Sequence, residues 1–157
     1  MYGSGKYAKN QEKDAQGAKE KMKRRLARET VFKLLFEENF HCGRDAAELY
    51  ETALSVQELE DDDYVREVFF GTLAQREKLD ELIEKHSRGW KKSRISPVSL
   101  SILRLACYEI LFREDVPYQV AINEALELVK LYDEDGARAF INGILHAVAT
   151  ELGQAQA

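Results

Sequence analysis

The segment that most constrains the fold is VSLSILRLACYEILF at residues 98–112, which is apolar on nearly every side. Such a segment leaves no face suited to water, so we predict a buried central helix with other helices around it. Ser96 and Pro97 stand directly before it, and a Ser cap followed by Pro at the first helical position is typical of a helix start. Asp115 and Pro117 repeat this signal, which predicts that YQVAINEALELVKLY forms the next helix.

Helical spacing of apolar residues recurs on both sides of this pair. It predicts helices at about residues 20–40 and 46–56, one long helix from about 62 to 86, and a last helix after residues 133–135. Only two prolines and nine glycines occur among 157 residues, which are too few turn-forming residues for a β-sandwich or barrel. We therefore predict an all-α fold of about seven helices.

We expect one domain over residues 21–152, in two packed halves at about 21–88 and 96–152 that a short basic connector joins. Residues 1–20 are polar and aperiodic, and we predict a disordered tail there. Residues 153–157 are predicted to be a short tail. No apolar stretch approaches the ~18 residues that a membrane span needs, and the N-terminus lacks the apolar run of a signal peptide.

Signals of catalysis are weak. GSGK at residues 3–6 lacks the spacing and the strand-to-helix setting of a phosphate-binding loop. The three histidines show no metal-ligand spacing, and the sequence contains no CxxC or HExxH motif. Cys42 and Cys107 lie in unrelated contexts, which favours a reducing cytoplasm over a disulfide framework. We expect a cytoplasmic protein that is not an enzyme and needs neither metal nor cofactor.

The basic residues are concentrated at one end of an acidic chain. Residues 1–28 carry nine Lys and Arg against three Asp and Glu, whereas the remainder carries 14 against 25. At about 100° per residue, four of the five cations clustered at residues 21–28, all except Lys23, lie within roughly one third of the helix circumference, on the side that continues to Phe32 and Phe36. The five cations are Lys21, Lys23, Arg24, Arg25 and Arg28.

This arrangement predicts a phosphate-binding patch that continues into an aromatic surface. Arginine makes bidentate bonds to phosphate and stacks on bases, and cations at a helix N-terminus oppose the helix dipole, so helix stability alone does not favour them there. The alternative is a solvated basic turn above a core phenylalanine stripe. Arg138 beside Phe140 forms a second candidate base-stacking site, unless Phe140 is a peripheral core residue.

Two charged residues lie inside apolar runs, Arg104 in ILRLA and Glu124 in AINEAL. A buried charge needs a partner of opposite sign or hydrogen bonds. We hypothesise that Arg104 pairs with a carboxylate such as Glu124 or Glu109 and joins two helices. The role of this pair is structural.

The segments RRLARETVFKLLFEENF, ILRLACYEILFREDVPYQVAINEALELVK and FINGILH together resemble the NusB family, over about residues 22–151. The resemblance implies a helical RNA-binding factor for transcription antitermination. It implies binding of boxA-type single-stranded RNA during rRNA synthesis, together with a small-subunit ribosomal protein called NusE in this role. Other Nus factors and RNA polymerase are indirect partners.

The resemblance also implies roles for individual residues. It places Arg24, Arg25 and Arg28, with Lys23 nearby, and residues 136–140 at the RNA. The implied partner surface consists of Phe32, Phe36, Val98 and Ser99. The sequence departs from the family pattern at Leu26, which interrupts the arginine run, at Ser99, where an acidic residue is common, and in its long segment before Met22.

Three alternatives stay open on the sequence. The chain is a helical scaffold that binds a protein partner without specific RNA binding, or a module that serves a separate rRNA cytosine methyltransferase. Phe32 and Phe36 also leave room for a homodimer, because some NusB-like proteins self-associate through a surface that overlaps the functional one.

Overall fold

The computed structural model describes residues 4–40, 45–57 and 61–154. These residues form seven α-helices and one 3-10 turn at Lys92–Arg94, and none of them lies in a β-strand. The predicted all-α fold is confirmed. The helices are α1 (Ser4–Glu38), α2 (Ala46–Val56), α3 (Asp63–Ala74), α4 (Arg76–His86), α5 (Pro97–Phe112), α6 (Tyr118–Tyr132) and α7 (Ala137–Glu151).

Helix α5 is the centre of the molecule, as its apolar sequence predicts. Every residue from Ser99 to Ile110 is buried, and α5 packs against α1, α3, α4, α6 and α7. The start also follows the predicted signal, because the Ser96 side chain accepts a hydrogen bond from the Ser99 N–H and Pro97 is the first helical residue. One continuous apolar core therefore runs through the helices on both sides of the α4–α5 connector.

Helix α1 begins at Ser4, so the prediction of a disordered tail is wrong from this residue onward. Residues 8–20 are exposed except at Gly17, and apolar periodicity could not reveal this part of the helix because these residues bury no apolar stripe. They are rich in Lys, Glu, Gln and Ala, which have high helix propensity, and they continue a helix whose nucleus is already formed at residues 21–38.

The predicted long helix at residues 62–86 is two helices, because the backbone leaves helical geometry at Gln75 (φ −100°, ψ 14°). Each helix then turns its own stripe inward, with Phe69 buried on α3 and Leu79 on α4. Gly71 allows α3 to approach α5 closely, since a Cβ at this position would lie 2.2 Å from the Tyr108 hydroxyl oxygen.

The predicted pairing of Arg104 with Glu124 or Glu109 is wrong, although Arg104 is buried and paired. Its Nε donates to Asp80 Oδ1 at 2.8 Å and its Nη2 to Asp80 Oδ2 at 2.9 Å, which joins α5 to α4. Asn39, directly after α1, accepts a further bond at 3.1 Å. Glu109 points about 140° away from Arg104 around α5, so the two face different neighbours.

Across the part of the chain that the structure describes, none of the helices combines the length and apolarity that a membrane span requires.

Candidate nucleic-acid interface

The five predicted cations at residues 21–28 of α1 fall into three groups according to their surroundings. Arg28 belongs to the interior, since it lies on the same face as the buried Val31 and Leu35. Its Nε donates to Glu109 Oε1 at 2.7 Å and its Nη2 to Glu109 Oε2 at 2.9 Å, and both side chains are almost inaccessible to water. The prediction that Arg28 lies on the RNA-binding surface is therefore wrong for this structure.

The Arg28–Glu109 pair is held in an aromatic and charged environment. Burial alone lowers the pKa of Arg28, but hydrogen bonds and Coulombic attraction from Glu109 outweigh it and raise the pKa above its ordinary value. The Tyr64 ring lies 5.9 Å from the guanidinium carbon. Arg28 therefore stays charged at every physiological pH and fastens α1 to the central helix.

Arg24 and Arg25 lie at the surface, and both already have carboxylate partners. Arg25 donates to Glu124 through Nε at 3.1 Å and Nη2 at 3.0 Å, and these hydrogen bonds raise its pKa. Arg24 lies 4.3 Å from the centre of the Tyr64 ring and 3.4 Å from Asp115. A phosphate that approaches either arginine must share it with a carboxylate.

Lys21 and Lys23 form the third group. Both side chains are exposed, and neither has an ion pair with any residue in the described ranges. Of the five predicted cations, these two have no ion pair that a polyanion must break, although Asp61, Asp62 and Asp63 line the same cleft. Sequence spacing placed all five on one helix, but the neighbouring helices decide which of them are available.

The second predicted base-stacking site lies at the start of α7. Arg138 is exposed, and Phe140 is half-buried, with its ring centre 5.9 Å from that of Trp90 at an interplanar angle of 56°. Trp90 is 54% exposed. Our sequence analysis missed Trp90, although a tryptophan flanked by RG and KK is an aromatic residue among cations and could have indicated it.

The predicted partner surface centres on an aromatic ladder along α1. Phe32 is buried, with its ring centre 4.9 Å from that of Tyr132 and 6.3 Å from that of Phe36. Phe36 is half-buried and continues to Phe40, whose side chain is 61% exposed. The outer part of this ladder, Phe36 and Phe40, is available to a partner, whereas Phe32 supports it from inside.

Val98 and Ser99 lie at the start of α5, close to this ladder. Val98 is half-buried, but Ser99 is buried, and its hydroxyl donates to Asp133 Oδ2 at 2.6 Å. The Asp133 carboxylate therefore lies against the Ser99 side chain. Ser99 can act on a partner only through Asp133.

No group of three His, Cys, Asp or Glu side chains in the described part of the chain is arranged to hold a metal ion. Cys107 is buried, and burial raises the pKa of its thiol to about 12. A thiol in this environment is protonated at neutral pH and is a poor nucleophile. Cys42 lies outside the described residues.

The family sequence model that matches this chain is that of the NusB family, over residues 21–150. The transcription antitermination protein NusB of Bacillus pumilus is 42% identical over 133 residues, which cover 85% of this chain and 99% of that protein. The protein of the same name from Natranaerobius thermophilus is 44% identical over 139 residues, covering 86% of this chain and all of the relative.

Solved structures agree with the sequence matches. Thermotoga maritima NusB has a TM-score of 0.73 and 34% identity, covering 82% of this chain and 91% of that one. A crystal structure of antitermination factors NusB and NusE in complex with dsRNA has a TM-score of 0.72 and 26% identity, covering 82% of this chain and 96% of that one. The resemblance found in the sequence is confirmed, and the chain belongs to the NusB family.

Proposed function

We propose that this protein is a transcription antitermination factor that binds boxA-type single-stranded RNA during rRNA transcription, together with a small-subunit ribosomal protein acting as NusE. It works in the cytoplasm by binding, without chemical turnover, and meets other Nus factors and RNA polymerase through this complex. The names of its curated relatives and the NusB–NusE–dsRNA structure support this proposal. The observation that carries it is the presence of uncompensated cations and half-exposed aromatic rings on one rigid helical frame.

The RNA surface in this proposal is smaller on α1 than the family pattern implies. Lys21 and Lys23 supply open positive charge, and Arg25 contributes its exposed edge while Glu124 orients it. Arg138 and Phe140 supply a cation and a ring at the start of α7. Cations give salt-dependent affinity, and rings that stack on unpaired bases give preference for single strands.

The ribosomal partner docks on the outer part of the aromatic ladder. Phe36 and Phe40 present apolar rings, Val98 extends this surface, and Asp133 places a carboxylate beside it. Phe32 contributes by fixing the Phe36 ring from below rather than by direct contact. A homodimer through the same rings would compete with the partner for this surface.

A helical scaffold without specific RNA binding is the second candidate. It is favoured by the ion pairs of Arg24 with Asp115 and of Arg25 with Glu124, which reduce the positive charge open to RNA. The two functions differ in one measurable respect, because the scaffold binds its partner with no preference for an RNA sequence.

Fluorescence anisotropy of a labelled boxA-type RNA against a scrambled RNA tests the proposal, with and without the partner and at several salt concentrations. We expect sequence-selective binding that the partner tightens. The double variant Lys21→Ser with Lys23→Ser should make the slope of log K against log salt concentration shallower by about 0.7 per lost phosphate contact. Lys78→Ser on α4 is the matched control and should leave this slope unchanged. Equal binding of both RNAs with the partner present would refute the proposal in favour of the scaffold.

A further inference from the structure

The connector between α4 and α5 is a second basic segment of the described chain, besides residues 21–28. Residues 87–96, SRGWKKSRIS, contain four cations and no acidic residue. Lys92 donates to Asp80 at 3.1 Å. Arg88, Lys91 and Arg94 are exposed and have no carboxylate partner in the described ranges, in contrast to the three arginines of α1.

The backbone of this connector is fixed rather than loose. Arg88 (φ 51°) and Gly89 (φ 87°) both adopt the left-handed region, which is uncommon for a non-glycine residue such as Arg88. The buried Ser87 hydroxyl lies 2.9 Å from the Glu84 carbonyl oxygen and 2.5 Å from that of Trp90. Such a conformation persists only where its surroundings support it, and here the contacts of Ser87 support it, while the Trp90 ring lies against Phe140.

Three clefts of about 510, 480 and 320 Å³ meet around Trp90 and Phe140. Trp90 and Arg94 line the first and third clefts, Phe140 lines the first and second, and Arg88 lines the second and third. The three clefts therefore share the aromatic rings and the cations of the connector, and at least one of these cations lines each cleft.

We propose that Trp90 is a base-stacking residue in a single-stranded RNA track along the α4–α5 connector, where Arg88, Lys91 and Arg94 hold the phosphates of the flanking nucleotides. This inference rests on the proposed RNA-binding function and extends its footprint from α1 and α7 to the connector. A single strand fits because its unpaired bases can leave the stack and lie on an exposed aromatic ring.

Charge favours a nucleic acid over a protein as the occupant. Three cations without ion pairs beside one half-exposed indole suit a polyanion with stackable bases. Asp133 and Glu134 also line the 510 Å³ cleft. Because carboxylates repel phosphate, the strand places its phosphates along the connector and a base in this cleft.

Trp90 is the sole tryptophan of the chain, so its intrinsic fluorescence reports this site directly. On titration with the boxA-type RNA, we expect quenching that saturates at the same RNA concentration as the anisotropy of the labelled RNA. The Trp90→Phe variant in complex with the ribosomal partner measures the background fluorescence that the partner contributes. Binding seen by anisotropy without any change in Trp90 fluorescence would overturn the inference and leave the RNA-binding function intact.

Two substitutions separate stacking from apolar packing. Trp90→Phe keeps an aromatic ring and should retain RNA affinity within about threefold, whereas Trp90→Leu keeps apolar bulk and should lose about 5- to 100-fold. Melting temperatures of both variants show whether the fold is equally preserved. If Trp90→Leu melts lower than Trp90→Phe, the quenching titration of the unchanged protein decides.

Substitution of Arg88, Lys91 and Arg94 by serine should make the slope of log K against log salt concentration shallower by about 0.7 per lost phosphate contact. Lys78→Ser should leave this slope unchanged. Full RNA affinity in Trp90→Leu, together with weaker binding of the ribosomal partner, would make this surface a protein-docking site and refute the track. If neither the RNA anisotropy nor the Trp90 fluorescence shows RNA binding, both the inference and the proposed function are refuted.

Discussion

Arg25 and Arg28 provide a matched pair for measuring what burial does to the same interaction. Each guanidinium makes two hydrogen bonds to one glutamate, at 3.1 and 3.0 Å for Arg25 and at 2.7 and 2.9 Å for Arg28. The side chain of Arg25 is 58% exposed, whereas those of Arg28 and Glu109 are 5% and 1% exposed. Arg28 Nη1 also lies 3.7 Å from Glu124, so the two alanine replacements differ in this second contact and, chiefly, in the burial of the charge that is left behind.

The expected losses differ severalfold. Arg28→Ala leaves the Glu109 carboxylate buried without its cation, and loss of one partner of a buried pair costs about 3–5 kcal/mol of unfolding free energy. For a chain of this size, that loss lowers the melting temperature by about 6–20 °C. Arg25→Ala removes a surface ion pair, which contributes at most about 1 kcal/mol.

Urea unfolding and thermal melts followed by circular dichroism measure both losses. A third variant, Arg28→Met with Glu109→Leu, removes both buried charges and should recover most of the stability that Arg28→Ala loses, since apolar side chains of similar volume replace a buried pair at little cost. Equal destabilisation by Arg25→Ala and Arg28→Ala would refute the assignment of Arg28 to the interior, and so would an Arg28→Ala variant that melts like the unchanged protein.

Three further outcomes follow from the structure. Asp80→Ala should lower the unfolding free energy by about 3–5 kcal/mol because Arg104 stays buried without its carboxylate, and urea unfolding checks this. Arg88→Gly should be more stable than Arg88→Ala by about 1 kcal/mol in the same assay, because glycine adopts the left-handed conformation without a steric cost. Burial and a hydrogen bond to Asp61 raise the pKa of Tyr50 to about 12. The stability that this neutral phenol contributes is complete below about pH 10 and lost as the pH rises towards 12, so Tyr50→Phe should show a smaller loss of unfolding free energy over that range.

The helices that bury apolar side chains could be predicted from the sequence, because burial imposes a period that the sequence displays. The apolar segment of α5 and its Ser96–Pro97 start are the clearest cases. The N-terminal extension of α1 could not be predicted in this way, since residues 8–20 bury no apolar stripe and their helical state depends on propensity and on the adjoining helix. The break at Gln75 also escaped prediction, because the apolar residues of α3 and α4 follow one another at intervals that fit a single helix.

The electrostatic state of the candidate site depends on side chains far away in the sequence, which periodicity does not reveal. Arg28 and Glu109 are 81 positions apart, and Arg25 and Glu124 are 99 apart. The sequence shows that Arg104 and Glu124 need partners, because charges in apolar runs are costly without them. It does not show that Arg104 faces α4 while Glu124 faces α1, since this follows from how the helices pack.

These ion pairs change which residues can bind RNA strongly. A phosphate that displaces Glu124 from Arg25 exchanges one charge-assisted bidentate contact for another, so the net gain in binding free energy is small. It also leaves a carboxylate close to the phosphate, and like charges repel. Cations that form no ion pair carry less of this cost, and they lie at Lys21 and Lys23, whose cleft is also lined by Asp61–Asp63, and along the connector. We therefore expect the arginines of α1 to act mainly by fixing this helix against α5 and α6, and the proposed RNA binding to depend mainly on the unpaired cations that this frame holds in place.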